Sequence, residues 1–306
     1  MRRGLNDIVG PKSLLIRRGI HQHRRSYDAT VLSGNGSPGL KSNSAGTRTP
    51  VWLSLWQARD LVAFFALRDL RLRYKQAALG VAWVLLQPIA TVAIFTVVFG
   101  RLAGISSEGV PYPLFALLGF SVWTYFSSAT VRASEVLVHN PALVSKVYFP
   151  RIAAPTGAVL PQLVDLAVSL AMVGLLLIYY ELAPSWRLLA VPVWLTLLIL
   201  TAFGPAVLLS ALNVRYRDVQ HAIGPVMQIW FFASPIAYPS TLFSGHGELL
   251  YALNPMVGVI GLARWSVLNT PWPGWPLAVS VGMVGVMLVC GVSYFRRSER
   301  TFADVI

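Results

Sequence analysis

The sequence predicts an all-α polytopic membrane protein with about six transmembrane helices, and three observations carry that prediction. Across 306 residues, 55% are apolar and 12% charged, with a mean hydropathy of +0.61, outside ordinary soluble-domain usage. Apolar runs of about twenty residues recur along the chain, the length a helix needs to cross hydrocarbon. Lysine and arginine gather in alternate segments between those runs, the pattern of the positive-inside bias. A net charge of +13 would also suit nucleic acid, but its bearers lie mostly in the first fifty positions and in those short segments. No nucleic-acid partner is therefore expected, and the basic face is assigned to membrane lipids. Cys290 is the single cysteine and sits inside the last apolar run, which excludes a disulfide framework or a cysteine metal site.

Residues 1–50 are rich in Arg, Ser, Gly and Asn without periodicity, and read as a basic, disordered cytoplasmic tail. The tail has no apolar core that would serve as a signal sequence, so no cleaved leader is expected. Gly34 to Ser42 nearly spells a phosphate-binding loop, but a leucine separates Gly39 from Lys41 and no strand precedes it. A flexible linker is the better reading. The transmembrane domain then occupies 51–306. Ser54 to Gln76 reads as a helix whose Gln57, Asp60, Arg68, Arg71 and Lys75 share one side, interrupted by Phe64. Such imperfect amphipathicity suits a helix lying at the membrane surface against a protein partner.

Spans are placed at about 81–102, 113–136, 152–180, 188–212, 222–238 and 275–295. Leu253 to Val267 is apolar but interrupted by Asn254-Pro255 and Arg264, and reads as a re-entrant or interfacial hairpin. One side of the membrane collects Arg68, Arg71, Arg73, Lys75, Lys146, Arg151, Arg215, Arg217, Arg296, Arg297 and Arg300. The other receives Arg101, Arg187 and Arg264. Both termini are then cytoplasmic, which requires an even number of spans. Prolines recur within the spans, among them Pro88, Pro155, Pro161, Pro205, Pro225 and Pro235. Each frees a carbonyl that must be satisfied by neighbours or water, as in a lined pathway or a kinked bundle. Asp165, a carboxylate inside the third span, suits a water-filled conduit or a polar bundle contact.

Between the second and third spans lies LVSKVYFPR, Leu143 to Arg151. Asn140 suits an N-cap and Pro141 the first helical position, while Pro150 disfavours helix at Phe149, so a helix of about two turns is expected. Leu143, Val144 and Val147 share one face, with Lys146 free to extend to phosphate or solvent. Together with LRDLRLRYKQAALGVAWVLLQP, LNVRYRDV, LNPMVGVI and FRRSERTFADVI, in that order, this segment resembles the permease subunit of polysaccharide-exporting ATP-binding cassette transporters of the ABC-2 type. The resemblance runs from Trp52 to Ile306.

The resemblance implies six spans, with Ser54 to Gln76 as cytoplasmic interface helix and Pro141 to Phe149 as gate or coupling helix. It also implies external re-entrant helices within Leu249 to Leu268, and Asn213 to Asp218 as a second cytoplasmic contact. It further implies a bacterial plasma-membrane homodimer served by two copies of a separate ATPase, which binds ATP and magnesium; no cofactor is expected in this chain. The cargo would be lipid-linked polysaccharide: O-antigen, teichoic acid, capsule or another cell-wall glycan. Asn140, Leu143, Val144, Lys146, Val147, Tyr148, Phe149 and Arg151 form the candidate gate and lipid-phosphate contact, the cations serving either phosphate or topology. Arg59, Asp60, Arg68, Asp69, Arg215, Arg217 and Asp218 are candidates for ATPase coupling, or simple interfacial charges. Trp123, Tyr125, Phe126, Trp230, Phe231, Phe232 and Tyr238 are either channel rings that stack on sugars or interface anchors. A membrane-embedded enzyme of glycan biosynthesis is the alternative; it would need paired acids for a metal, whereas Asp69 and Asp218 sit among arginines. No catalytic or metal residues are expected.

Overall fold

The computed structural model describes residues 51–74, 80–140, 150–242, 246–299 and 302, and among them every regular element is a helix. In chain order these are α1 (Val51–Gln57), α2 (Arg59–Tyr74), α3 (Gly80–Phe95) with a π-helical extension (Thr96–Leu102), and α4 (Tyr112–His139). Next come α5 (Ala153–Val159), α6 (Gln162–Tyr179), a 3-10 turn (Trp186–Ala190) and α7 (Val191–Arg215). The last are α8 (Val219–Phe232), a second 3-10 turn (Ser240–Leu242), α9 (His246–Ala252), α10 (Pro255–Leu268) and α11 (Pro276–Ser298).

Five stretches are long and apolar enough to cross a membrane: Leu85–Leu102, Tyr112–His139, Ala153–Tyr179, Trp186–Arg215 and Pro276–Ser298. They coincide with five of the six expected spans, so the all-α polytopic class holds. The remaining expected span, 222–238, does not form as one helix. α8 has 14 residues, about 21 Å at 1.5 Å per residue, against about 30 Å of hydrocarbon. It stops because Pro235 lacks an N–H, and Ser234 takes over the helix end: its Oγ donates to the Trp230 carbonyl at 2.8 Å. The chain turns at once, with Ile236 N donating to Ser234 O at 2.8 Å. Periodicity could not separate that turn from a continuing apolar helix, because Phe-Ala-Ser-Pro-Ile-Ala-Tyr stays apolar through it. The third span is broken between Val159 and Gln162, at Leu160-Pro161, and the expected interface helix is divided at Ala58 into α1 and α2.

α4 is the central element and is packed against α3, α5, α6, α7, α8 and α10. Leu114, Phe115, Ala116, Leu118, Val122, Phe126, Ala129 and Ala133 along it are fully buried. By contrast α11 leaves Val281, Val286 and Val289 exposed, as a lipid-facing or partner-facing helix does. α7 and α11 meet through glycine: a Cβ at Gly204 would lie 2.9 Å from the Met287 carbonyl carbon, and one at Gly291 would strike the Gly204 carbonyl. This is the small-residue contact by which helices approach closely in a bilayer, where lipid removes the usual hydrophobic advantage of large side chains.

Candidate functional site

The interface helix is held to the bundle by one narrow face. Ala58, Val62, Phe65 and Ala66 are buried, while Arg59, Asp60, Phe64, Leu67 and Leu72 are exposed. The buried face sits on α5, where Ala58 and Val62 pack with Ala153. Gly157 makes the approach possible, since a Cβ there would meet Phe65 Cβ at 2.7 Å and the Val62 carbonyl at 3.1 Å. α5 begins at Ala153, shortly after the expected gate segment Pro141 to Phe149.

The expected gate residues Leu143, Val144, Lys146, Val147, Tyr148 and Phe149 lie outside the described residues, as do Arg300 and Lys75. The two that flank the gate are described. Asn140 ends α4, and its Nδ2 donates to the Val136 carbonyl at 2.9 Å. Arg151 faces the end of α11: its backbone N donates to Glu299 Oε1 at 3.1 Å, its guanidinium donates to the Glu299 carbonyl, and it stands 6.0 Å over the Phe302 ring. These contacts tie Arg151 to the end of α11.

The expected coupling charges divide into two groups at the same end of the bundle as Asn140 and Arg151. Arg59 and Asp60 approach to 3.8 Å and are both exposed, and Arg68 pairs with Asp69 at 3.1 Å. Arg215, Arg217 and Asp218 are exposed between α7 and α8. Arg215 lies over the Tyr216 ring at 5.4 Å. Beneath them Asn213 is buried and its Nδ2 donates to the Ser134 carbonyl of α4 at 3.1 Å, which anchors the loop to the central helix.

The candidate channel aromatics are largely packed against one another within the chain. Trp123 meets Phe126 at 5.4 Å and Phe231 at 5.7 Å, and Phe126 meets Trp230 at 4.9 Å, mostly in edge-on or tilted geometry. Phe126, Tyr125 and Trp123 are buried. Of these three, Trp123 and Phe126 pack against the rings of α8. Phe232 is the exception, 66% exposed and edge-on to Phe231. Tyr238 is half-buried and its hydroxyl donates to the Phe232 carbonyl at 2.8 Å.

Two residues carry more structure than their sequence reading gave them. Asn254, read as an interruption, is a hub: its Oδ1 accepts from Trp230 Nε1 at 2.9 Å and from Met256 N at 3.0 Å. Its Nδ2 donates to the Ala233 carbonyl and to Ser234 Oγ, both at 3.0 Å. It thereby caps the end of α8 and the start of α10 together, and the Asn-Pro pair is the signal that would have marked it. Arg264, counted among the loop charges, is 3% exposed. Its guanidinium lies 3.4 Å over the Phe115 ring and donates from Nη2 to the carbonyls of Ile236 at 2.9 Å and Phe115 at 3.3 Å. Gly119 leaves room for it, as a Cβ there would lie 2.8 Å from Nη2. Burial raises the Glu108 carboxyl above the usual carboxylate range, and the positive charge of Arg264 opposes the shift.

An interface helix before the first span, a loop charge cluster beneath α7 and short helices folded back before the last span form one arrangement. Residues 61–268 match the ABC-2 type transporter family. The chain belongs to that family. Relatives along most of its length include the O-antigen export system permease protein RfbA of Myxococcus xanthus, 27% identical over 256 residues, covering 82% of this chain and 97% of that protein. The protein of the same name from Klebsiella pneumoniae is 22% identical over 248 residues, covering 81% and 95%. The polysialic acid transport protein KpsM of Escherichia coli is 25% identical over 244 residues, covering 76% and 91%. This ABC-2 chain is a transporter subunit of the membrane. The family match takes in α5, α8, α9 and α10, the short elements whose roles periodicity alone did not reveal.

Proposed function

We propose that this chain is the permease subunit of an ATP-driven exporter that moves lipid-linked polysaccharide from the cytoplasmic side across the bacterial inner membrane. The single observation that carries the reading is co-linear similarity, over 82% of this chain and 97% of the relative, to a permease named for O-antigen export. The charged end of the bundle, with Arg59, Arg68, Arg215 and Arg217, is then cytoplasmic, and both termini lie there. Two such chains pair, and two copies of a separate ATPase dock on α2 and on the loop Asn213 to Asp218. ATP and magnesium belong to that partner. Hydrolysis displaces the gate segment, and the α2–α5 contact carries the movement into the bundle.

Depleting the protein in its native cells tests the reading. The expected result is labelled lipid-linked glycan accumulating in the cytoplasmic leaflet, with synthesis intact and surface glycan lost. Arrest of polymer synthesis itself would overturn it and favour a biosynthetic enzyme.

Lys146 is assigned to the phosphate of the lipid carrier, because a cation at the interface attracts anionic headgroups. Lys146→Ala is expected to reduce export at least tenfold, with assembly and partner ATPase activity retained. Export at the wild-type rate would remove the assignment.

A further inference from the structure

At the end of the bundle opposite the charged loops, a cavity of about 270 Å³ opens under α9 and α10, bordered by Glu108, Glu248, Tyr251, Arg264, Trp272 and Trp275. Its walls are built to stay in place. The segment Thr270 to Pro276 contains Pro271, Pro273 and Pro276, which restrict the backbone before any ligand arrives. Arg187 donates from Nη1 to the Thr270 carbonyl at 3.2 Å and stands 5.2 Å over the Trp265 ring. Trp272 meets Trp265 edge-on at 4.8 Å and is itself 56% exposed.

One residue bordering the cavity is held in a strained backbone conformation: Glu108 has φ 58, in the left-handed region that disfavours side chains. Left-handed non-glycine residues persist where the surroundings over-determine them, and they cluster at binding sites. At the floor, Arg264 Nε is buried with no hydrogen-bond partner. An unsatisfied buried donor costs about 1–3 kcal/mol and gains when a ligand or water supplies an acceptor.

From these observations we infer that the cavity is a binding subsite for one neutral pyranose unit of a glycan. The chemistry is that of sugar recognition. Trp272 and Trp275 offer exposed aromatic surface for the apolar face of a pyranose ring, as an aromatic ring stacks on C–H bonds without needing one hydroxyl pattern. Glu108 and Glu248 accept hydrogen bonds from hydroxyls, and Arg264 donates to a ring or hydroxyl oxygen. With two carboxylates against one guanidinium, the site repels acidic sugars. The inference rests on the export reading for its biological cargo; on that reading the subsite lies on the external face and holds a sugar as the chain leaves.

The test uses the purified full-length protein in lipid nanodiscs, titrated with the methyl α-pyranosides of glucose, mannose, galactose and N-acetylglucosamine and with methyl glucuronide. Tryptophan fluorescence and saturation-transfer NMR report binding. Saturable millimolar binding of at least one neutral pyranoside is expected, with methyl glucuronide weaker. Glu108→Gln and Glu248→Gln should each weaken it at least tenfold, and Trp272→Leu should remove most of the fluorescence change. Glu248 lies on the half-exposed α9, so that variant tests the site even where Glu108→Gln disturbs the strained turn. Absence of saturable binding, wild-type affinity in both glutamate variants, or tighter binding of the glucuronide would each overturn the inference. Saturable binding together with arrested synthesis on depletion would leave the subsite standing and overturn the export reading. No binding, with glycan accumulating on depletion, would do the reverse.

Discussion

Replacing Asn254 with alanine is expected to lower the thermal unfolding midpoint of the purified protein by roughly 6–12 °C and to abolish export. The side chain makes four hydrogen bonds, accepting from Trp230 Nε1 and Met256 N and donating to Ala233 O and Ser234 Oγ. Truncation leaves two donors and two acceptors without these partners, some of them shielded from water. At about 1–3 kcal/mol for each shielded group, a total of about 3 kcal/mol is a conservative expectation. The midpoint range follows from about 2–4 °C per kcal/mol in domains of this size. Asn254→Asp keeps both acceptors and loses both donors, so it should fall between the wild type and alanine. An unaltered midpoint for Asn254→Ala would show that α8 and α10 hold their places without this cap.

The second large effect is expected at Gly157. A valine there brings side-chain carbon into the Phe65 Cβ and Val62 carbonyl, already 2.7 and 3.1 Å from the first carbon any residue would add. Neither neighbour relieves the clash by rotating, because one is the root of a side chain and the other is backbone. Either α2 separates from α5, or the bundle strains by about 1–3 kcal/mol. The expected phenotype of Gly157→Val is a protein that inserts and pairs normally but exports at less than one-tenth of the wild-type rate. ATPase turnover would then be uncoupled from glycan movement. Gly157→Ala should be milder. Export measured against ATP consumed in reconstituted vesicles separates this loss of coupling from a loss of assembly. Wild-type coupling in Gly157→Val would mean that α5 does not transmit the stroke.

The two predictions mark the boundary of what could be read from the chain. Runs of apolar residues placed five membrane-crossing helices within a few residues, because the bilayer imposes both the length and the composition of a span. The basic clusters around Arg68, Arg215 and Arg296 were equally legible, since topology depends on charge counts in short loops. The interface helix was visible as an imperfectly amphipathic segment, and the structure explains the imperfection. Only the narrow face of Ala58, Val62, Phe65 and Ala66 is buried, so Phe64 and Leu67 remain exposed on a side that the charges were expected to own.

The expected span at 222–238 is not one continuous helix, for a physical reason. Hydropathy registers that Ser234 to Tyr238 is apolar, and is blind to whether its carbonyls continue a ladder or end it. Pro235 ends the ladder, and Asn254, about twenty residues further on, holds that end by reaching Ala233 and Ser234 from the start of α10. The aromatic residues of α4 and α8 show the same limit. Their identity suggested sugar stacking or interface anchoring, and gave no sign that Phe126 would be buried between Trp123 and Trp230.

The sequence by itself determined the membrane class, the place of five long spans, the charged end of the bundle and the family motifs. Each follows from local composition or spacing. Tertiary structure alone decided which rings are core, how the helix end within the fifth expected span is held, and that Arg264 leaves the loop charges for a buried place over Phe115. It also brought Glu108, Glu248 and Trp272 to one cavity. These depend on contacts between residues far apart in the chain, and neither hydropathy nor helical periodicity carries information about a partner more than a few turns away.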